Sequence, residues 1–298
     1  MNAAMFRYYL RWTFCWLLLV QPALYLSSSC EAATTKPVTL VYAKPIQQGD
    51  SSKLYQVRLL SAALHHAGVE HQLVEADVPM VQDRSLRTVA VENGIDVFWS
   101  VTTIEREQLL TPVRFPIDKG LFGWRLLLLS PQTAAKVPDL SSLPNLKKLV
   151  FTQGHDWPDT EILRSNKLKV LVSNHYHSMF EMLASGRVDA FPRSVLEIWR
   201  ELSEVSRPLP VEADIVLHYP TALYYFFSPR QQQLAHQVEL GLELMLKNGE
   251  FERMFQQEFA EALALSKLDK RLVIELRNPL LPAATPLHRP ELWFQLAE

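Results

Sequence analysis

From Val38 onward, short apolar runs alternate with segments whose apolar residues recur every three to four positions, and the alternation starts again near Lys148. No other feature limits the fold as strongly, because a strand–helix order repeated in series builds parallel sheets with helices on their faces. The first series reads as strands at 38–42, 69–74 and 95–100. A helix follows Ser51 or Ser52 as cap, with Leu54, Val57, Leu60, Leu64 and Ala67 at helical spacing, and Gly68 stops it. A second helix is expected at 85–92. Residues 123–130 form a near-continuous apolar run, suited to a strand buried on both faces. The second series reads as strands at 148–152, 170–172 and 188–191, with helices at 160–165, 177–184 and 195–203. Strands at 215–217 and 222–227 flank Pro220, and two helices, about 231–247 and 250–265, are separated by Gly249. The tail 266–298 is rich in proline but carries Leu280, Leu281, Trp293 and Phe294, so it is expected to pack on the surface of a lobe.

Composition then removes whole classes of function. The 298 residues contain 30 Lys+Arg against 32 Asp+Glu, a formal net charge of -2. That balance lacks the basic excess of a dedicated nucleic-acid binder. Nine glycines, at 49, 68, 94, 120, 123, 154, 186, 241 and 249, fit neither G-x-G-x-x-G nor G-x-x-x-x-G-K-[ST], so the glycine-rich phosphate cradles are absent. No G-x-S-x-G elbow and no H-E-x-x-H stands in the chain. His65, His66 and His71 lie on or after a helix, and His175 and His177 form a His-x-His pair. No third or fourth ligand stands at useful spacing, so neither a metal nor a cofactor is expected.

The N-terminus reads differently. Arg7 and Arg11 precede an uncharged stretch from Trp12 to Leu26, and small residues follow up to Ala32 and Ala33. This is the layout of a secretory signal peptide over 1–32, cleaved after Ala32 or Ala33. The apolar run is shorter than the roughly 20 residues a spanning helix needs. Both cysteines, Cys15 and Cys30, would leave with it. The alternatives are an uncleaved anchor or a lipid on Cys30.

Three blocks carry a resemblance. They are Asp96-Val-Phe-Trp-Ser-Val-Thr-Thr-Ile-Glu-Arg106, Leu149-Val-Phe-Thr-Gln-Gly154 and Met182-Leu-Ala-Ser-Gly-Arg-Val-Asp-Ala190. In order and spacing, residues 38–262 resemble the periplasmic solute-binding proteins of family 3. His155-Asp156-Trp157-Pro158-Asp159 and Asn278-Pro-Leu-Leu-Pro282 resemble a subgroup less tied to transport. The resemblance implies the two-lobed type II periplasmic binding protein fold, an α/β architecture in which each lobe is a mostly parallel sheet flanked by helices. Lobe 1 would comprise 37–120 and 220–298, and lobe 2 would comprise 121–219. It also implies a small polar or anionic ligand, a carboxylate or an amino acid, held in the cleft between them. The partner would be a membrane permease or a sensor, the state monomeric and the location periplasmic. An enzyme on the same scaffold, such as a dehydratase of a cyclic carboxylate, and a signalling module are the alternatives.

The resemblance places Arg106 where such binders grip a ligand carboxylate, a task suited to a guanidinium that makes two parallel charge-assisted bonds. The position that holds the ligand ammonium is Ser194 here, with Arg193 beside it. Arg106 with Arg193 favours a dianion or a carboxylate without an amine, unless Glu197 or Asp156 takes the missing role. Arg193 has a second reading, an ion pair with Glu197 four residues on. Arg106 has a second reading too, a solvated arginine beside Glu105 or Glu107. Tyr42, Trp99 and Trp157 stand at strand ends, where aromatic faces sandwich a ligand or simply pack. Thr102 belongs to the first block. Gln153 leads into a loop whose amides can face an anion, with Asp159 as a plain helix cap in the simpler reading.

Overall fold

The computed structural model describes residues 36–44, 54–136 and 139–296; the expected signal peptide and both cysteines lie outside them. The first series forms β1 (Val38–Lys44), α1 (Tyr55–His66), β2 (His71–Pro79), α2 (Gln82–Ala90), β3 (Val97–Val101), α3 (Ile104–Leu109) and the short β4 (Thr111–Pro112). The chain then crosses to a second sheet. There it forms β5 (Trp124–Leu129), α4 (Pro131–Ala134), α5 (Leu143–Leu146), β6 (Val150–Gly154), α6 (Pro158–Ser165), β7 (Lys169–Ser173), α7 (Tyr176–Ala184), β8 (Ala190–Ser194), α8 (Ile198–Glu204) and β9 (Ile215–His218). It returns through β10 (Leu223–Phe227), α9 (Gln232–Asn248) and α10 (Glu250–Ser266), and ends with β11 (Leu272–Glu275) followed by an extended segment.

The first sheet has the order β2-β1-β3-β10-β4, and the second β11-β9-β5-β8-β6-β7. Parallel pairing holds where strand and helix alternate, as in β2-β1-β3 and β8-β6-β7. Both sheets are mostly parallel, as expected, with one strand in each running against the others. Strand β10 runs antiparallel to β3 and β4, and β5 runs antiparallel to β8 and β9, because these strands enter from the opposite half of the chain. One correction concerns the tail. Its expected place is the first lobe, yet β11 pairs in parallel with β9, Leu272 opposite Ile215, and so extends the second sheet.

The chain passes between the sheets three times, once where α10 leads into β11 and otherwise through two short crossovers, residues 113–123 and 219–222. One buried carboxylate holds them together. Asp118 accepts the amides of Gly120 (3.1 Å) and Phe122 (2.8 Å) in the first crossover and of Leu223 (3.3 Å) at the end of the second. The Tyr219 amide donates to the Gly123 carbonyl, and the Tyr219 carbonyl fills the space where a β-carbon on Gly123 would stand. Glycine is therefore required at 123 by contact between the two chain segments. Apolar packing is continuous across this region, from Leu40, Leu59 and Val97 through Phe115 and Leu121 to Leu126, Phe191 and Ile198.

Burial pushes the Asp118 carboxyl up to about 6, with the three backbone amides pulling the other way. A carboxyl raised in the folded state favours folding below its unfolded value and loses that contribution as pH rises through the folded value. Wild type is therefore expected to gain about 2 kcal/mol relative to Asp118→Asn between pH 7 and pH 4.5. Urea denaturation of both proteins at the two pH values measures this difference, and an unchanged gap would show that Asp118 titrates normally.

Candidate functional site

The register places four strand ends on one edge of the second sheet. Arg125 lies opposite Ser194, Trp124 opposite His218, and Phe151 opposite Ala190, so Gln153 and Gly154 reach the same edge. On the first sheet, Val101 pairs with Leu223 and the Thr102 amide donates to the Ala222 carbonyl. Both crossovers leave from these edges, which makes them the two walls of a cleft, where open α/β sheets present ligand sites.

Arg106 belongs to the first wall. The Thr103 hydroxyl caps α3 by accepting the Arg106 amide, and the guanidinium folds back onto the end of β3. It donates to the Ser100 hydroxyl (2.9 Å), the Val101 carbonyl (2.6 Å) and the Gln82 side-chain oxygen (2.8 Å). Those bonds use three of five guanidinium donors and fix its plane, leaving two for an acceptor. Burial brings its pKa down to about 10, while Asp159 and Asp156 of the second half act on it in the opposite sense. Arg106 thus lies within electrostatic reach of the far wall, and the surface-arginine reading does not hold, since it is 9% exposed.

The second wall is a network of buried charge. Arg193 donates from Nε to Glu201 (2.7 Å) and from Nη2 to Glu201 (2.5 Å) and Glu197 (3.0 Å). Its guanidinium lies 4.9 Å from the Trp157 ring centre, 5.0 Å from Phe191 and 5.9 Å from Tyr176. The Tyr176 hydroxyl donates to Glu201 at 2.5 Å. Arg125 pairs with Asp159 at 2.5 Å and lies 3.9 Å from Glu197, while the Tyr219 hydroxyl donates to Asp159. Burial works against the Glu201 carboxylate, but Arg193 and the Tyr176 hydroxyl outweigh it and hold it below the ordinary range. Glu197 goes the other way: burial, with Glu201 nearby, raises it against the pull of Arg193 and Arg125. Two arginines thus face Asp159, Glu197 and Glu201, so this wall carries an excess of negative charge, to which half-exposed Asp156 adds.

The structure separates the residues singled out in the sequence into distinct settings. Arg193 takes its ion-pair reading, and its bonds to two carboxylates leave no net cation there to join Arg106 in holding a dianion. Trp157 stands over Gly154, where a β-carbon would come within 2.6 Å of its ring, and also meets Arg193, Tyr176 and Phe191. Gln153 is fully buried, its amide nitrogen donating to the Pro192 carbonyl at 3.3 Å while its oxygen has no partner among the described residues. Ser194 is also buried, its hydroxyl donating to the Leu121 carbonyl at 3.3 Å, which fastens the second sheet to a crossover. Thr102 donates to Glu107 at 2.7 Å. Tyr42 is in the core, with Trp99 leaning on it at 6.2 Å, a packing role for this pair. Asp159 is not the plain cap expected: Trp157 holds the cap position, and the carboxylate turns to Arg125 and Tyr219.

Arg125, Glu201 and Tyr219 escaped the sequence reading. The available signal was the single arginine inside the apolar run 123–130, since a charge in a strand buried on both faces needs a buried partner. A separate open cavity of about 610 Å³ lies between α1 and β2, lined by Ser61, His65, His66, His71 and Glu250 among others. Its polar groups engage each other, Ser61 with His71 at 2.8 Å and His66 with Glu250 at 2.6 Å. Among the described residues, no group of three or more His, Cys, Asp or Glu is arranged to hold a metal ion.

No protein-family model matches the sequence, and no curated protein matches it. Solved structures do. A probable amino-acid ABC transporter extracellular-binding protein from Bacillus subtilis is similar with a TM-score of 0.59 at 13% identity, over 76% of this chain and 99% of that one. A periplasmic binding protein of high arginine specificity from Salmonella typhimurium gives 0.55 at 13% identity, over 74% and 99%. An ancestral amino acid-binding protein, a precursor of cyclohexadienyl dehydratase, gives 0.54 at 16% identity, over 74% and 95%. This chain has the two-lobed type II periplasmic binding protein fold that the three sequence blocks imply.

Removing one partner of a buried ion pair strands the other charge, so Arg125→Met is expected to cost about 3–5 kcal/mol of stability. The double variant Arg125→Met/Asp159→Leu is expected to recover most of it, as read by chemical denaturation. Equal losses in the single and double variants would contradict the pairing.

Proposed function

We propose that this protein is an exported solute-binding protein that holds a small amino-acid-like ligand in its cleft, for uptake or sensing. The observation that carries the reading is the opposition of Arg106 on one wall to Asp156 and Asp159 on the other, close enough for those carboxylates to act on its ionisation. A zwitterion fits that polarity, with its carboxylate on the two remaining donors of Arg106 and its cationic group toward Asp156 and the rim carboxylate Glu197. This departs from the dianion that Arg106 and Arg193 suggested together, because Arg193 is neutralised by Glu197 and Glu201. Trp157 belongs to the same wall and supplies an apolar face, with Gln153 buried behind it.

On this reading the ligand bridges the walls and favours the closed arrangement by its contacts to both. The protein acts as a monomer that hands its ligand to a membrane permease or reports it to a sensor, and it needs no cofactor. The solved structures with this fold that are named for amino-acid binding support the choice of ligand class. The dehydratase alternative rests on Glu197, whose raised carboxyl is the cleft group suited to carrying a proton.

Thermal denaturation of the mature protein with L-arginine, L-glutamate, L-alanine and succinate tests the proposal, since a ligand that binds only the folded state raises the melting temperature. At least one amino acid is expected to do so. Arg106→Ala is expected to weaken that binding by about 10–100-fold, the range of a hydrogen bond to a charged group. Asp156→Asn is expected to weaken binding of amino acids while leaving succinate unchanged. A panel without effect, or an Arg106→Ala protein that binds like wild type, would overturn the reading, and consumption of the bound compound would move it to the enzyme.

A further inference from the structure

The segment after β11 touches both halves and both crossovers in turn. The Leu276 amide donates to the His218 carbonyl at 2.7 Å, next to the second crossover. Arg277 exchanges two bonds with the Asn166 side chain at the end of α6, at 3.0 and 2.8 Å. The Asn278 side chain then donates to the Pro220 carbonyl at 2.9 Å, inside the second crossover. The Leu280 carbonyl accepts the amide of Ile104 at 2.9 Å, the first residue of the helix that carries Arg106. Arg289 grips Glu243 on α9 with two bonds, at 2.5 and 3.0 Å. Finally the Phe294 amide donates to the Lys119 carbonyl at 2.8 Å, in the first crossover.

The last contacts fall on the crossover itself. Trp293 lies against Gly120, where a β-carbon would come within 2.5 Å of its ring, and its indole nitrogen donates to the Pro286 carbonyl at 2.9 Å. Phe294 meets Trp124 edge-on at 5.9 Å, and Trp124 in turn lies 4.3 Å from His218. Leu276 and Leu280 pack with the second-half cluster around Phe151 and Leu217, whereas Trp293 packs with the first-half cluster around Tyr224 and Phe226.

We infer that residues 276–294 form a strap that clamps the hinge. A two-lobed protein opens by changing backbone angles in a few crossover residues. Here those residues carry extra bonds at Lys119 and Pro220 and an aromatic ring on Gly120, and the strap is anchored to a helix of each half. Opening must strip these contacts or carry the strap along, so the empty protein stays close to the arrangement described. The inference concerns the hinge alone and stands whether or not the cleft binds an amino acid.

The test uses the full chain with Cys15 and Cys30 changed to Ser and spin labels on cysteines placed at Val91 and Leu171, exposed positions on opposite halves. Pulsed electron resonance without added ligand is expected to give one narrow distance distribution. Trp293→Ala/Asn278→Ala is expected to broaden it, with crossover amides exchanging on the order of tenfold faster. A chain ending at Leu292 keeps the buried Leu292 and removes the last anchors, and it is expected to shift in the same direction. The inference is overturned if the distribution is already broad in the parent protein, or if neither variant changes it while faster exchange stays within 276–294.

Discussion

One buried carboxylate, Asp118, sets the relation between the two sheets. It accepts amides from both strands of the hinge, so the approach to β5 and the start of β10 are tied by a single group. A carboxylate in that position supplies acceptors in several directions, which no neutral side chain of its size matches. Its burial costs free energy, and the raised pKa is the measure of that cost. The Gly123–Tyr219 contact and the anchors of residues 276–294 reinforce the same point. The cleft walls therefore face each other because the crossovers are held, before any ligand is considered.

The walls differ in how they treat charge. The first presents one arginine fixed by a hydroxyl, a carbonyl and an amide oxygen, with no carboxylate bonded to it among the described residues. The second surrounds each of its arginines with carboxylates and aromatic rings. A buried ion pair adds little to stability compared with an apolar pair, but it penalises any arrangement in which one partner is lost. The second wall is thereby rigid, and its rim is negative. Charge on the first wall is open to a ligand, while cationic charge on the second is already used by the protein. That asymmetry is the reason the proposed ligand is a zwitterion and not the dianion first expected.

Much of the fold is legible in the sequence because it rests on local signals. Helical spacing marks α1, Gly68, Gly186 and Gly249 mark ends, and apolar runs mark the strands. The Arg193–Glu197 pair is legible for the same reason, the two residues standing four positions apart. What the sequence hides depends on distant contacts. Arg125 and Asp159 stand 34 positions apart, and Tyr219 another 60 beyond, so nothing in either neighbourhood announces the other. Asp118 resembles an ordinary loop residue because its partners are backbone amides, which carry no sequence signature. Strand β11 reads as surface packing, since four residues of a proline-rich tail do not establish a period, and only the free edge of β9 gives them a role.

The proposed role requires a ligand that touches both walls at once. Two-dimensional amide spectra of the mature protein, titrated with L-arginine, L-glutamate and succinate, test this most directly. Saturable shifts are expected at Thr102 and Arg106 and at Gln153 and Trp157, sharing one dissociation constant. Shifts confined to one wall, or to the separate cavity around Ser61, His65 and His71, would contradict it.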